Sequence, residues 1–210
     1  MPLATSRGVS RWAAVRRWVI ARVAPAPDAA PVVAVSARTP EGTTNVLELL
    51  GRAKAQDTSG LWQRVRLAAL PNGTTGWVPR SALGGSRFVD TRLVVDRARL
   101  TATLLRSGRR LFTVPIGVGQ RQSPTPRGTF YVRDVLTRYA SPAYGPVAFG
   151  TSARSPTLTD WPAGGYVGIH GTDRPGLIPG AISHGCIRMR NFDILRLARL
   201  MPVGTPVIVK

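Results

Sequence analysis

A single cysteine, Cys186, occurs in 210 residues, so no intramolecular disulfide can staple the fold and stability must come from the core. That scarcity does not place the chain in a reducing compartment, because a lone thiol outside the cell would be kept for chemistry rather than packing. Histidine is nearly as rare, with only His170 and His184. Acidic residues number 10 against 29 basic ones, a formal net charge of +19. Lysine is almost missing among the basic residues and is confined to Lys54 and Lys210. No uncharged apolar run approaches the ~20 residues that a membrane-spanning helix needs. The stretch MPLATSRGVSRWAAVRRWVIARVAPA carries arginines where a signal peptide requires an unbroken apolar segment, so export is not legible in this chain.

Arginine in such excess presents planar, bidentate donors suited to phosphates and carboxylates. A solvated basic surface accounts for it, and so does an anionic neighbour such as an acidic membrane or a cell-wall polymer. The arginines are spread along the chain, and no helix-turn-helix, zinc finger or aromatic RNA-binding motif accompanies them. Nucleic acid is therefore not expected as a partner.

An apolar fraction of 43% is ample for a core, and 22 glycines with 18 prolines punctuate short apolar runs. That texture predicts strands and turns, hence a mainly β protein. Residues 1–25 read as a basic lead-in. From Pro31 come VVAVSA, a run ending NVLELLG, then GLWQRVRL and, past the turn P-N-G, TTGWVPRSALG. Short strands at this spacing suggest a small β-barrel over 26–85, with Trp62 and Trp77 in its core. Gly84-Gly85-Ser86 reads as a hinge into a second region, 86–210. There RFVDTRLVVD, RLTATLLR, RRLFTVPIGVG, GTFYVRDVL, GYVGIH and TPVIV predict strands, with a turn at Ser107-Gly108. One helix is clear, from Asn191 to Leu200, striped by Ile194, Leu195, Leu197 and Ala198, with Asn191 as its cap. The Ser-, Pro- and Gly-rich section Arg138–Trp161 suits a mobile flap hinged at Gly145, Gly150 and Gly164.

The whole stock of cysteine and histidine falls between His170 and Cys186, in G-I-H-G-T and S-H-G-C-I-R-M. A thiol nucleophile needs a proton acceptor and donors for the developing oxyanion. The two histidines and the backbone at Gly185 could supply them. If Ser183–Cys186 is extended, His184 and Cys186 face the same side. By residue type alone Cys186 could equally be a packing residue, and with two histidines a zinc ligand. Against zinc there is no H-E-x-x-H, and Asp173 lacks the spacing of a base.

G-I-H-G-T followed by S-H-G-C-I-R-M resembles the signature of the L,D-transpeptidases, the YkuD-type peptidoglycan enzymes. Gly117 to Phe130, G-V-G-Q-R-Q-S-P-T-P-R-G-T-F, resembles the family's Thr-Pro-x-Gly-x-Phe segment, and M-P-V-G-T-P-V-I-V its closing strand. The pair W-x-x-V and G-W-V-P at Trp62, Trp77 and Val78 is similar to bacterial SH3-like domains. The resemblance implies a small SH3-like β-barrel followed by a β-rich L,D-transpeptidase catalytic domain. It implies Cys186 as nucleophile, His170 as general base and acid, and the Gly171 carbonyl orienting His170. Ser183, which opens the signature, joins the catalytic set, and His184 tunes the thiol. The N–H groups of Gly185 and Cys186 would form the oxyanion hole. Arg188 would meet a stem-peptide carboxylate, and Tyr144 would touch substrate from the flap. Implied with it are peptidoglycan stem peptides as partners, an extracytoplasmic setting at the cell wall, acylation by carbapenems, and no cofactor. Rivals are an L,D-carboxypeptidase, in which water resolves the thioester, and a catalytically silent wall-binding protein. A papain-like wall endopeptidase would also use Cys and His, but it places the cysteine before the histidine.

Overall fold

The computed structural model describes residues 8–55, 60–137, 141–157 and 165–210. The first sheet comprises β1 (Ser10–Ala14), β2 (Val19–Arg22), β3 (Pro31–Val35), β4 (Val46–Lys54), β5 (Leu61–Arg66), β6 (Thr75–Pro79) and β7 (Arg87–Val89). Its spatial order is β3-β2-β6-β5-β4-β1-β7. Leu47 and Leu49, two apart on β4, turn to one face and meet Val65 of β5 and Val78 of β6 in the core. The expected core position of Trp62 holds, at 2% exposure, whereas Trp77 is only half-buried.

The expected basic lead-in gives way over its described part, because β1 and β2 are integral strands. Ala13, Val15 and Ala21 face the core, while the arginines between them stay on the outer face. Arg11 lies over the Phe88 ring at 5.1 Å and Arg87 over Trp12 at 5.5 Å, across the β1–β7 pair. These guanidinium–aromatic contacts let charged side chains cover a sheet without entering it. The hinge is also displaced. β7, beyond Gly84-Gly85-Ser86, returns to pair with β1, and the chain changes sheet only between Val89 and Thr91.

The second sheet holds β8 (Thr91–Asp96), β9 (Thr101–Arg106), β10 (Arg109–Pro115), β11 (Gly117–Gly119), β12 (Gly128–Leu136), β13 (Ala148–Arg154), β14 (Tyr166–His170), β15 (Gly180–Ser183), β16 (Ile187–Arg188) and β17 (Pro206–Val209). Its order is β10-β9-β8-β17-β12-β13-β14-β16-β11-β15. Ser107 and Gly108 both take positive φ, 49° and 81°, so the β9–β10 hairpin turns where the sequence predicts. The helix α1 (Asn191–Ala198) buries Ile194 and Leu197 against a core that includes Phe130, Phe149, Ile169 and Ile187. Asn191 does not cap it; its Oδ1 accepts the Thr172 N–H at 2.9 Å instead.

The expected flap is overturned where it can be followed. Residues 148–154 form β13, in the middle of the sheet between β12 and β14, with Gly150 buried and its N–H donating to Asp134 Oδ1 at 2.9 Å. The period-2 signal was hidden because Gly, Thr and Ser occupy buried positions of this strand. Gly145 ends a short 3-10 turn, Pro142–Tyr144, and Gly164 lies outside the described residues with the rest of 138–140 and 158–164.

The two sheets meet through polar contacts. Tyr131 Oη of β12 donates to the Val46 carbonyl at 3.1 Å, and the Asn72 side chain bridges both backbone groups of Arg154 at 2.7 and 2.9 Å. Arg133 of β12 pairs with Glu41 at 3.0 Å, both side chains being 2% exposed.

Candidate active site

Two parallel neighbours build the site. β14 and β16 run side by side with Ile169 opposite Ile187 and His170 opposite Arg188. Cys186 therefore enters one residue ahead of β16, level with Gly168. Side chains two apart on a strand share a face, so the register sets Cys186 on the same side as His170, about 6–7 Å along the strand at ~3.3 Å per residue. The Gly168 N–H donates to Cys186 Sγ at 3.3 Å, and both Cys186 and His170 are buried, at 6% and 3% exposure.

His170 Nδ1 lies 2.6 Å from the Gly171 carbonyl oxygen. A carbonyl can only accept, so Nδ1 carries the proton and the lone pair of the neutral ring falls on Nε2. A peptide oxygen thus stands where a serine triad has a carboxylate. The loop that supplies the oxygen is tightly held. The Gly171 N–H donates to the Val147 carbonyl at 3.3 Å, and a Cβ on Gly171 would lie 2.4 Å from Asn191 Oδ1. Tyr144 stands with its ring centroid 4.5 Å from that of His170, tilted by 44°.

The S-H-G-C segment is a turn, not the extended strand end the sequence suggested. Gly185 has φ of +128°, which side-chain-bearing residues rarely adopt. Buried Ser183 closes the turn: its Oγ donates to the Cys186 carbonyl at 2.6 Å and accepts the Gly185 N–H at 3.1 Å. One of the two N–H groups expected to face an oxyanion is thus engaged by Ser183. His184 is exposed, whereas Cys186 is buried. Arg188 is half-buried on β16, with its Nε buried and without a hydrogen-bond partner. Among the described residues, no three His, Cys, Asp or Glu side chains cluster as a metal site.

Sequence reasoning missed two supports. Asn191 locks Gly171 and Thr172, as described above. Thr125, 1% exposed, donates its hydroxyl to the Gly185 carbonyl at 2.8 Å and accepts the Gly119 N–H at 2.9 Å. The T-P-R-G-T-F motif was the available signal, but nothing in its spacing says that it touches S-H-G-C.

The sequence model of the YkuD family, described as the L,D-transpeptidase catalytic domain, matches residues 90–209. YkuD of Bacillus subtilis (strain 168), named as an L,D-transpeptidase, is 39% identical over 117 residues, which are 56% of this chain and 64% of that protein. Its namesake in Bacillus licheniformis is 38% identical over 128 residues, covering 60% of this chain and 70% of that one. Among solved structures, an Enterococcus faecium L,D-transpeptidase shares 26% identity with a TM-score of 0.46, covering 57% of this chain and 49% of that one.

Proposed function

Since the chain belongs to the YkuD family of L,D-transpeptidase catalytic domains, we propose that it is a peptidoglycan L,D-transpeptidase acting through a Cys186 thioester. The observation that carries this reading is the commitment of His170 Nδ1 to the Gly171 carbonyl, which leaves Nε2 as base on the face of Cys186. The catalytic unit corresponds to the second sheet. The first sheet, with an SH3-like identity, would hold the enzyme to the wall in an extracytoplasmic setting, aided by the +19 charge against anionic polymer.

His170 Nε2 takes the proton from Cys186 Sγ. The thiolate attacks the L-centre carbonyl of the third residue of a tetrapeptide stem, forming C–S as the carbonyl pair moves to oxygen. The Cys186 N–H meets that oxyanion, while the Gly185 N–H can join only by giving up Ser183 Oγ. Collapse re-forms the carbonyl and breaks C–N, and D-alanine departs with the proton returned by His170. An acceptor amine then attacks the thioester, loses its proton to Nε2 and releases the thiolate. Half-buried Arg188 is suited to a stem carboxylate, and Tyr144 to the wall of the site beside His170.

The test is incubation with purified tetrapeptide muropeptides and mass analysis. Cross-linked dimers with released D-alanine are expected. Tripeptide alone, with ample acceptor present, would replace transfer by carboxypeptidase trimming.

A further inference from the structure

The Gly185–Cys186 peptide is trans, the cis bonds among the described residues being Leu70–Pro71 and Ile178–Pro179. In a trans peptide the carbonyl and the following N–H point in opposite directions. Whatever holds the Gly185 carbonyl therefore aims the Cys186 N–H. That holder is Thr125, whose buried hydroxyl donates to the Gly185 oxygen at 2.8 Å. Resting on the transpeptidase reading, we propose that Thr125 is the positioning residue of the oxyanion site, fixing the peptide plane that presents the Cys186 N–H to the reacting carbonyl.

The surroundings are built to keep this hydroxyl pointing one way. A threonine hydroxyl has one proton to give. The Gly119 N–H fills an acceptor position on Oγ1 at 2.9 Å, so the proton goes to Gly185. The segment that carries Thr125 lies directly on β11. A Cβ on Gly119 would sit 2.2 Å from the Ser123 carbonyl oxygen and 2.5 Å from the Thr125 nitrogen. Arg97 holds the same segment from the other side by donating to the Thr125 carbonyl. The flanking planes belong to Ser183, which takes the Gly185 N–H and holds the Cys186 carbonyl. With Gly185 at φ +128°, the peptide is free to rotate unless a partner stops it, and Thr125 is the partner on the carbonyl.

Two reactions of the same thiol separate this role from simple packing. Transfer passes through an oxyanion, whereas alkylation by iodoacetamide displaces iodide from a saturated carbon and builds no charge on oxygen. Thr125→Val keeps the shape but cannot donate. It is expected to lower kcat for D-alanine release by about 10²-fold, the scale of losing one oxyanion donor, with KM little changed and the alkylation rate of Cys186 close to wild type. Thr125→Ser restores the hydroxyl and should recover most of the rate. Alkylation falling in step with release, or failure of serine to rescue, would make Thr125 a packing residue and overturn the proposal. So would a valine variant with undiminished kcat beside an active wild type. A wild type that alkylates normally yet releases no D-alanine would overturn the transpeptidase reading itself.

Discussion

His170 ends β14 and His184 lies in the turn between β15 and β16, and the fold treats them oppositely. His170 is buried with Nδ1 bound to Gly171 and its ring beside Tyr144, while His184 is exposed. A base is useful only when its tautomer and direction are set, and the Gly171 carbonyl sets both for His170. His170→Ala should slow D-alanine release by roughly 10²–10⁴-fold, the usual worth of a positioned base, and His184→Ala by far less. If measured rates reverse that order, the base has been misassigned. Cys186→Ala should abolish release outright. Its structural cost is that of a core position, about 1 kcal/mol for one buried heavy atom, because Cys186 packs with Ile169 and Ile187. The site's two histidines and cysteine were legible because the motif spells them. Thr125 and Asn191 were not, since a side chain bonding a backbone oxygen far along the chain leaves no periodic mark.

At the scale of elements, the sequence is most readable where alternation is clean, as in β8 and β9, and where a 3.6-residue stripe stands alone, as in α1. It misleads where the inward residues are small. β1 and β2 present Ala13 and Ala21 to the core beneath a run of arginines, so the eye follows the charge. β13 does the same with Gly150, Thr151 and Ser152, all buried, and the composition reads as loop. The polar groups of that strand are satisfied by specific partners, Thr151 Oγ1 donating to the Val167 carbonyl and Ser152 Oγ accepting the Tyr131 N–H. Gly150 separates a hinge from a packed strand experimentally. A methyl there would lie 2.2 Å from Asp134 Oδ1 and displace the carboxylate from the Gly150 N–H. Gly150→Ala should therefore destabilise the fold by about 1–3 kcal/mol, the range for overpacking, read as a lower urea midpoint. A hinge would instead leave the midpoint in place and change turnover.

The whole molecule is held together by a joint that is unusually acidic for a chain of charge +19. Arg133 of β12 lies 3.0 Å from Glu41 and 3.5 Å from Asp134, all three side chains being 2% exposed. The guanidinium also stacks on Tyr166 at 3.9 Å. Glu41 precedes β4, so this pair ties the first sheet to the second, and Thr43 adds a hydroxyl to Asp134 Oδ2 at 3.4 Å. Burial pushes the Asp134 carboxyl above its ordinary 3.8. Arg133 opposes that push, Glu41 reinforces it, and the Gly150 N–H again opposes it. A hydrogen bond between Asp134 and Glu41 requires a proton on one of them, which one guanidinium between two carboxylates makes affordable. A carboxyl raised on folding holds its proton in the folded state at pH values where the unfolded chain has lost it. Its contribution to stability is thus complete below 3.8 and is lost as pH rises through the folded value. Asparagine imitates the protonated acid at every pH, accepting from Gly150 and donating to Glu41. Thermal midpoints of Asp134→Asn across pH 4–8 should therefore decline less on the alkaline side than those of wild type. Parallel curves for the two proteins would show that the proton is not held at Asp134.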